Sequence, residues 1–252
     1  MPDPSHDFSV RLAETADDLH AAQALRYQVF VEELGGDGEM VDHDARLEQD
    51  RFDAHFDHML LSDRATGEVV GVYRLLTSDR AAEVGQFYSE DEYDLEPLKS
   101  SGRKLLELGR SCLHPDYRGG AGMYHLWNGL AQYVAEREIE VLFGVASFPG
   151  TNVETLAAPL SLLHEKHLAP KELRVRSRAY QRMDLRAPAS LDRRKAMVEV
   201  PALIKAYLRL GGFVGDGAFV DHSFNTTDVC LILDTKRMNA RQKRIYAGPN
   251  GE

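Results

Sequence analysis

Cysteine is scarce: Cys112 and Cys230 are the only two in 252 residues. Two thiols make no disulfide framework and cannot alone fill a zinc site, which points to a reducing cytoplasm. Tryptophan occurs once, at Trp127. No apolar run approaches the roughly 18 residues of a membrane span. The first residues, Met1-Pro2-Asp3-Pro4-Ser5-His6-Asp7, are acidic and lead into no apolar stretch, so no signal peptide is expected. Positive charge is in deficit, 30 Lys and Arg against 40 Asp and Glu, for a net charge of -10. That balance disfavours duplex nucleic acid, which needs a basic face. Neither internal repeats nor low-complexity tracts appear.

What is present reads as a soluble globular chain, 43% apolar and 28% charged. No break in composition marks a second domain, so one domain over 1–252 is expected, with a basic excursion at about 181–215 and a short basic C-terminal tail. The charge is uneven. Residues 1–63 hold sixteen Asp and Glu against four Lys and Arg. Residues 171–195 hold nine Lys and Arg against three Asp and Glu, and Lys236 to Arg244 adds five cations. These basic segments are either solvated surface or a face for an anionic partner, such as an acidic carrier protein, a phosphopantetheine arm or an anionic leaflet.

Periodicity outlines the elements. Phe8 to Leu12 alternates like a strand, and Thr15-Ala16-Asp17-Asp18 has the form of a helix start. Leu19, Ala22, Leu25, Val29 and Phe30 share one face of a helix running to about Glu33. His58–Ser62 and Val69–Leu76 read as a hairpin. Leu105–Leu113 is a third strand, with Glu107, Gly109 and Ser111 on one face. A helix carrying Met123, Leu126, Trp127, Leu130 and Val134 follows a glycine-rich turn. Val141–Phe148 and Val229–Leu233 are strands. Thr151 to Glu154 has the form of a capping box, and a helix runs from Pro201 to Gly211. Strands alternate with helices, so the class is α/β with a mixed sheet.

Three places could carry chemistry. Arg118-Gly119-Gly120-Ala121-Gly122-Met123 lies between a strand and a helix and would offer backbone amides to a phosphate, or serve as a plain tight turn. Its spacing matches neither dinucleotide nor nucleotide-hydrolase loops. Glu48, Asp50 and Asp53, with His43, Asp44, His55, Asp57 and His58 around them, form an acidic cluster. They fit no calcium loop and no His-Glu-x-x-His helix, and no metal is expected. The carboxylates could hold an amine, accept its proton, or be a solvated loop. Arg74, Glu107 and Arg110 lie in apolar strands, where charges demand partners, either as a structural ion pair or as a site. Neither Cys112 nor Ser111 has a recognisable nucleophile motif around it.

Taken in order, these segments resemble the Gcn5-related N-acyltransferase (GNAT) superfamily. Arg26-Tyr27-Gln28-Val29-Phe30-Val31-Glu32-Glu33, Glu48-x-Asp50-x-x-Asp53, Arg74 and Glu107-x-x-Arg110 follow the order and spacing of the acyl-homoserine-lactone synthases. Phe87-Tyr88-Ser89-Glu90, Glu107 to Cys112, Ala146 to Thr151, Gly215 to Ala218 and Phe224 to Asp228 look more like the ornithine lipid synthases. Two departures stand out. Ala121 and Met123 replace small residues of the usual acyl-carrier loop, and no Trp follows Phe30 as it does in lactone synthases.

The resemblance implies the acyl-CoA N-acyltransferase fold, a mixed twisted sheet with helices on both faces. It also implies lipid biosynthesis: transfer of a 3-hydroxyacyl group from an acyl carrier protein thioester to the α-amine of ornithine, with no cofactor. On that basis Glu48, Glu107 and Arg110 are catalytic, while Arg26, Phe30, Asp50, Asp53 and Arg74 bind the amino acid. Arg118, Gly119, Gly120, Ala121, Gly122 and Met123 hold the phosphopantetheine. The expected location is cytoplasmic, with peripheral contact at the inner membrane face and no nucleic-acid partner. The alternatives are a lactone-type synthase, an acyltransferase for another amine, or a non-catalytic acyl or carrier-protein binding module.

Overall fold

The computed structural model describes residues 7–242. The chain runs β1 (Phe8–Leu12), α1 (Ala16–Arg26), β2 (Asp57–Asp63), β3 (Val69–Thr77), α2 (Ser78–Val84), β4 (Tyr93–Asp94), α3 (Glu96–Lys99) and β5 (Leu105–Leu113). It continues α4 (Gly122–Glu136), β6 (Val141–Pro149), α5 (Ala157–His167), β7 (Arg176–Ser177), α6 (Arg193–Glu199) and α7 (Ala202–Arg209). The strands β8 (Phe213–Val214), β9 (Phe219–Asp221) and β10 (Thr226–Asp234) end it. The described residues fall into two compact units, 7–85 with 108–138 and 86–107 with 139–242.

In the first unit β1 pairs antiparallel with β2, from Phe8↔Asp63 to Leu12↔Met59. β2 pairs antiparallel with β3, which sets His58 opposite Arg74. The Leu108–Leu113 part of β5 lies next to β3. Thr15 caps α1 as expected: its side chain accepts from the Asp18 amide at 3.1 Å while Asp18 accepts from the Thr15 amide at 3.2 Å. One apolar cluster, Ala22, Leu25, Val29, Leu60, Val72 and Cys112, joins the helix to the sheet. Burying each of its large side chains contributes about 1.5–3 kcal/mol. A Cβ on Gly129 would stand 2.6 Å from Val10 Cγ1, so glycine is what lets α4 lie this close to β1.

Two local expectations need correction here. The helix does not run regularly to Glu33. It ends as an α-helix at Arg26 and continues as a π-helix over Tyr27–Glu33, where Leu34 N bonds Val29 O at 3.2 Å. The five-residue hydrogen-bond spacing widens the turn, while Phe30 stays half-buried against the cluster of Ala22, Leu25 and Val29 as the sequence implied. In β5, Arg110 has φ 48°, and this left-handed step breaks the two-residue alternation. Ser111 therefore cannot be placed by counting from Glu107.

In the second unit β6 runs parallel to the Leu105–Glu107 part of β5, and β10 pairs antiparallel with all of β6, from Thr226↔Pro149 to Asp234↔Val141. β8 and β9 pair with β10, and β4 pairs with β7. Phe87 meets Phe143 edge-on at 5.0 Å in its core. Asn152, rather than Thr151, supplies the cap near α5, accepting from the Glu154 amide at 3.2 Å. Parallel and antiparallel pairs together make the mixed α/β sheet that the sequence implied. Lys243 and Arg244 of the basic tail, and Met1 to His6 of the acidic start, lie outside the described residues.

Candidate active site

Six charged side chains of the first unit converge. Arg26 ends α1, Arg74 sits in β3 and Arg110 in β5, while Glu48, Asp50 and Asp53 come from the loop before β2. Arg26 and Arg74 are fully buried, and Glu48 is 1% exposed. Three guanidinium charges thus face three carboxylates, the condition under which burial of charge is tolerable.

Asp53 is the hub. Its carboxylate accepts from Arg26 Nη1 at 2.8 Å, Arg26 Nη2 at 3.0 Å, Arg74 Nη1 at 2.7 Å and Gln23 Nε2 at 2.9 Å. Four bonds fill the acceptor capacity of a carboxylate. Glu48 takes Arg26 Nε on one oxygen and Arg110 Nε on the other at 3.1 Å, and its backbone carbonyl accepts Arg26 Nη2 at 2.8 Å. Asp50 takes Arg74 Nη1 at 2.8 Å and the Phe52 amide at 2.9 Å, and at 18% side-chain exposure it is the most open of the three acids. Arg110 is the most open of the three arginines. The Phe56 ring lies 4.3 Å from the Arg74 guanidinium, and the half-buried Phe30 ring lies 6.0 Å from that of Arg110.

Burial pushes the Glu48 carboxyl up, yet the charges of Arg110, Arg26 and Arg74 outweigh it and hold it at about 2. Burial likewise opposes ionisation of Asp53, and Arg26 and Arg74 overcome it, leaving that carboxyl well below its usual range. Both are permanent anions at neutral pH. His58 donates from Nε2 to the Asp53 carbonyl at 2.9 Å, and burial lowers its pKa, so the ring is neutral. Cys112 is buried beneath the cluster's strand with its thiol pushed up to about 12, which suits packing rather than nucleophilic attack. The left-handed backbone of Arg110 costs about 1–2 kcal/mol, and its side chain is anchored by ion pairs with Glu48 at 3.1 Å and Asp50 at 3.7 Å.

Glu107 belongs to the second unit and has its own partners there. It accepts from the Tyr88 amide at 2.7 Å, the Ser89 amide at 2.6 Å and the Ser89 hydroxyl, and it is 1% exposed. The Arg118 loop lies in the first unit. Arg118 forms a two-pronged pair with Glu33, at 2.5 and 2.6 Å, and donates from Nε to the Leu113 carbonyl. Gly119, Gly120 and Ala121 are exposed, and Ala121 gives α4 no side-chain cap, so the amides of its first turn meet no capping side chain. Gly122 is buried and Met123 half-buried.

Gln23, Tyr88 and Ser89 were not assigned from residue chemistry. Gln23 had a signal: it stands three residues before Arg26 on the same helical face. Carboxylates that could meet a cation occur in the second unit, where oxygens of Glu92, Asp221 and Asp228 lie within 4.8 Å of one another. An open groove of about 680 Å³ along β1 and α4, lined by Val10, Met59, His125 and Tyr133 among others, includes none of the residues assigned from the sequence.

Comparison with known proteins gives concordant results. A GNAT acetyltransferase domain model matches residues 25–128. The L-ornithine N(alpha)-acyltransferase of Rhodobacter capsulatus is 59% identical over 244 residues, covering 95% of this chain and 94% of that protein. The Brucella abortus protein of the same name is 41% identical, covering 95% and 88%. Among solved structures, the acyl-homoserine-lactone synthase LasI aligns with TM-score 0.51 at 19% identity, over 96% of this chain and 95% of its own. The CoA-dependent lactone synthase BjaI aligns at 0.52 and 14% identity, over 94% and 86%. At such identities the likeness is one of fold.

Proposed function

The chain belongs to the L-ornithine N(alpha)-acyltransferase family, and we propose that it moves a 3-hydroxy fatty acyl group from an acyl carrier protein thioester to the α-amine of ornithine, giving lyso-ornithine lipid. The amine attacks the thioester carbonyl, the tetrahedral adduct expels the thiol, and an amide remains. One proton leaves the ammonium and one returns to the thiolate. No covalent enzyme intermediate and no cofactor are needed, which agrees with the absence of a nucleophile motif around Cys112.

The observation that carries this reading is the buried cluster of Arg26, Arg74, Arg110, Glu48, Asp50 and Asp53. Asp53 is filled by Gln23, Arg26 and Arg74, and Arg26 directs its three nitrogens at Glu48 and Asp53, so these buried groups, with the fully buried Arg74, serve as the scaffold. Arg110, with exposed surface, receives the α-carboxylate beside Phe30, and Asp50 receives the side-chain ammonium. Glu48, held at about 2, is a poor proton acceptor. That leaves Glu107, the other carboxylate assigned to proton handling from the sequence, as the candidate that a Glu107→Gln variant tests. The left-handed step at Arg110 supports an oxyanion role for the amides that follow it. The open amides of residues 118–123 hold the phosphopantetheine phosphate, and Arg118 exchanges Glu33 for that phosphate.

No described helix is long and apolar enough to cross a membrane. We place the enzyme in the cytoplasm, with peripheral contact at the inner leaflet. Purified protein given ornithine and 3-hydroxyacyl carrier protein should release thiol in proportion to amide. Turnover with S-adenosylmethionine in place of ornithine would make it a lactone-type synthase. Tight carrier binding without thiol release would make it a binding module.

A further inference from the structure

The clearest feature the reaction does not use lies in the second unit, on α6 and α7. Residues 193–209 hold Arg193, Arg194, Lys195, Lys205 and Arg209 against a single acid, Glu199. Carboxylates neutralise some cations of the basic stretch: Arg176 pairs with Asp216 at 2.7 Å, Arg182 with Asp184 at 3.0 Å and Arg193 of α6 with Glu165 at 2.6 Å. Arg194, Lys195 and Arg209 are exposed and meet no carboxylate among the described residues. The adjacent acid, Asp192, points its carboxylate at the Arg194 and Lys195 amides as the α6 cap, at 3.1 and 3.0 Å. Helical spacing sets Arg194 and Lys195 one turn before Val198 on the outer side of α6, while Ala196 is buried. Lys205 and Arg209 stand one turn apart on α7. Lys205 Nζ donates to the Val198 carbonyl at 3.2 Å, which brings the Lys205 ammonium to the end of α6 beside Val198. At their junction Val198 is 72% exposed, the most exposed large apolar residue described.

We propose that this face docks the enzyme onto an anionic lipid surface, with Arg194, Lys195, Lys205 and Arg209 at the headgroups and Val198 entering the interface. Charge complementarity carries the choice. With a net charge of -10, the chain as a whole is repelled by an anionic leaflet, so attraction must be local to such a face. Each cation near an anionic leaflet strengthens binding roughly fivefold. A folded acidic partner is the weaker fit. The face offers a folded partner one exposed large apolar side chain, Val198, set among cations, which is the composition of a headgroup contact rather than of an apolar interface core. A lipid surface demands no shape match. Resting on the acyltransferase reading, the docking also delivers a one-tailed acyl amino acid to the bilayer that must receive it.

Co-sedimentation with phosphatidylglycerol–phosphatidylcholine vesicles, without substrates, tests this independently of the reaction. Wild type should bind these vesicles and not pure phosphatidylcholine ones, and added salt should release it. Arg194→Glu with Lys195→Glu should lower the partition constant roughly tenfold to a hundredfold, and Val198→Asn a few-fold, with carrier-protein turnover in solution unchanged. Absence of wild-type binding to the anionic vesicles would overturn the proposal. So would a charge-reversed variant that binds vesicles normally while its KM for acyl carrier protein rises, because the face would then belong to the carrier. The salt titration on wild type keeps the test decisive if the double variant folds poorly.

Discussion

Replacing Asp53 by Asn changes one oxygen to an amide and removes one charge from the centre of the buried cluster. Arg26 and Arg74 have no solvent to turn to, since both are fully buried. The new NH2 group would face Arg26 and Arg74 N–H donors in place of Oδ1, or Arg26 and Gln23 N–H donors in place of Oδ2, so at least one hydrogen bond becomes a donor–donor clash. Removing one partner of a buried pair costs about 3–5 kcal/mol, mostly because the opposite charge is left uncompensated. For a chain of this size each kcal/mol lowers Tm by roughly 2–4 °C, so a fall of about 6–20 °C is expected. Thermal unfolding followed by circular dichroism at pH 7 measures it. Because Asp53 is assigned to the scaffold, the folded remainder of the variant should lose turnover without a selective rise in KM for ornithine. A Tm within about 2 °C of wild type would refute the hub role. An intact Tm with a steep rise in ornithine KM would return Asp53 to the substrate ammonium.

Glu48 sets an acid limit. Its carboxyl is depressed from 4.5 to about 2, so its contribution is complete above 4.5 and disappears as pH falls through 2. That contribution is about 3 kcal/mol. Urea unfolding between pH 6 and about 2 should show this loss, and Glu48→Gln should flatten the profile. Glu107→Gln should lower kcat by about 10²–10⁴ at little change in either KM, measured by thiol release; near wild-type turnover would reduce Glu107 to an anchor for Tyr88 and Ser89. Arg118→Ala should raise the carrier-protein KM roughly tenfold to a hundredfold and leave the ornithine KM unchanged. A matched rise in both would contradict its assignment to the donor.

Much of this architecture can be read from local pattern. The Thr15 and Asp18 cap, the β2–β3 hairpin and the limits of β5 follow from side-chain period and capping chemistry, which act within a few residues. The six charged residues of the cluster are recognisable from motif order. Their division into scaffold and open groups is not, because it depends on how many donors reach each carboxylate. Asp53 is filled by Gln23, Arg26 and Arg74, which lie up to 30 residues away in sequence. The π-helix over Tyr27–Glu33 escapes a periodicity reading because its apolar residues also fit an α-helical stripe. The left-handed step at Arg110 carries no glycine or asparagine to announce it. Arg118 reads as a free anion ligand until Glu33, 85 residues earlier, is found on it. The basic stretch was visible as charge, but that Arg176, Arg182 and Arg193 are paired with carboxylates while Arg194, Lys195 and Arg209 meet none among the described residues depends on the folded chain. The two- and three-residue strands β7, β8 and β9 are too short to show a period.

The central claim concerns which nitrogen is acylated, and fragmentation mass spectrometry of the product formed from ornithine and 3-hydroxyacyl carrier protein reads it directly. The account predicts a single amide on the α-nitrogen with the side-chain amine free. Acylation of the side-chain nitrogen, or a mixture of the two, would contradict the assignment of Arg110 to the carboxylate and Asp50 to the distal ammonium.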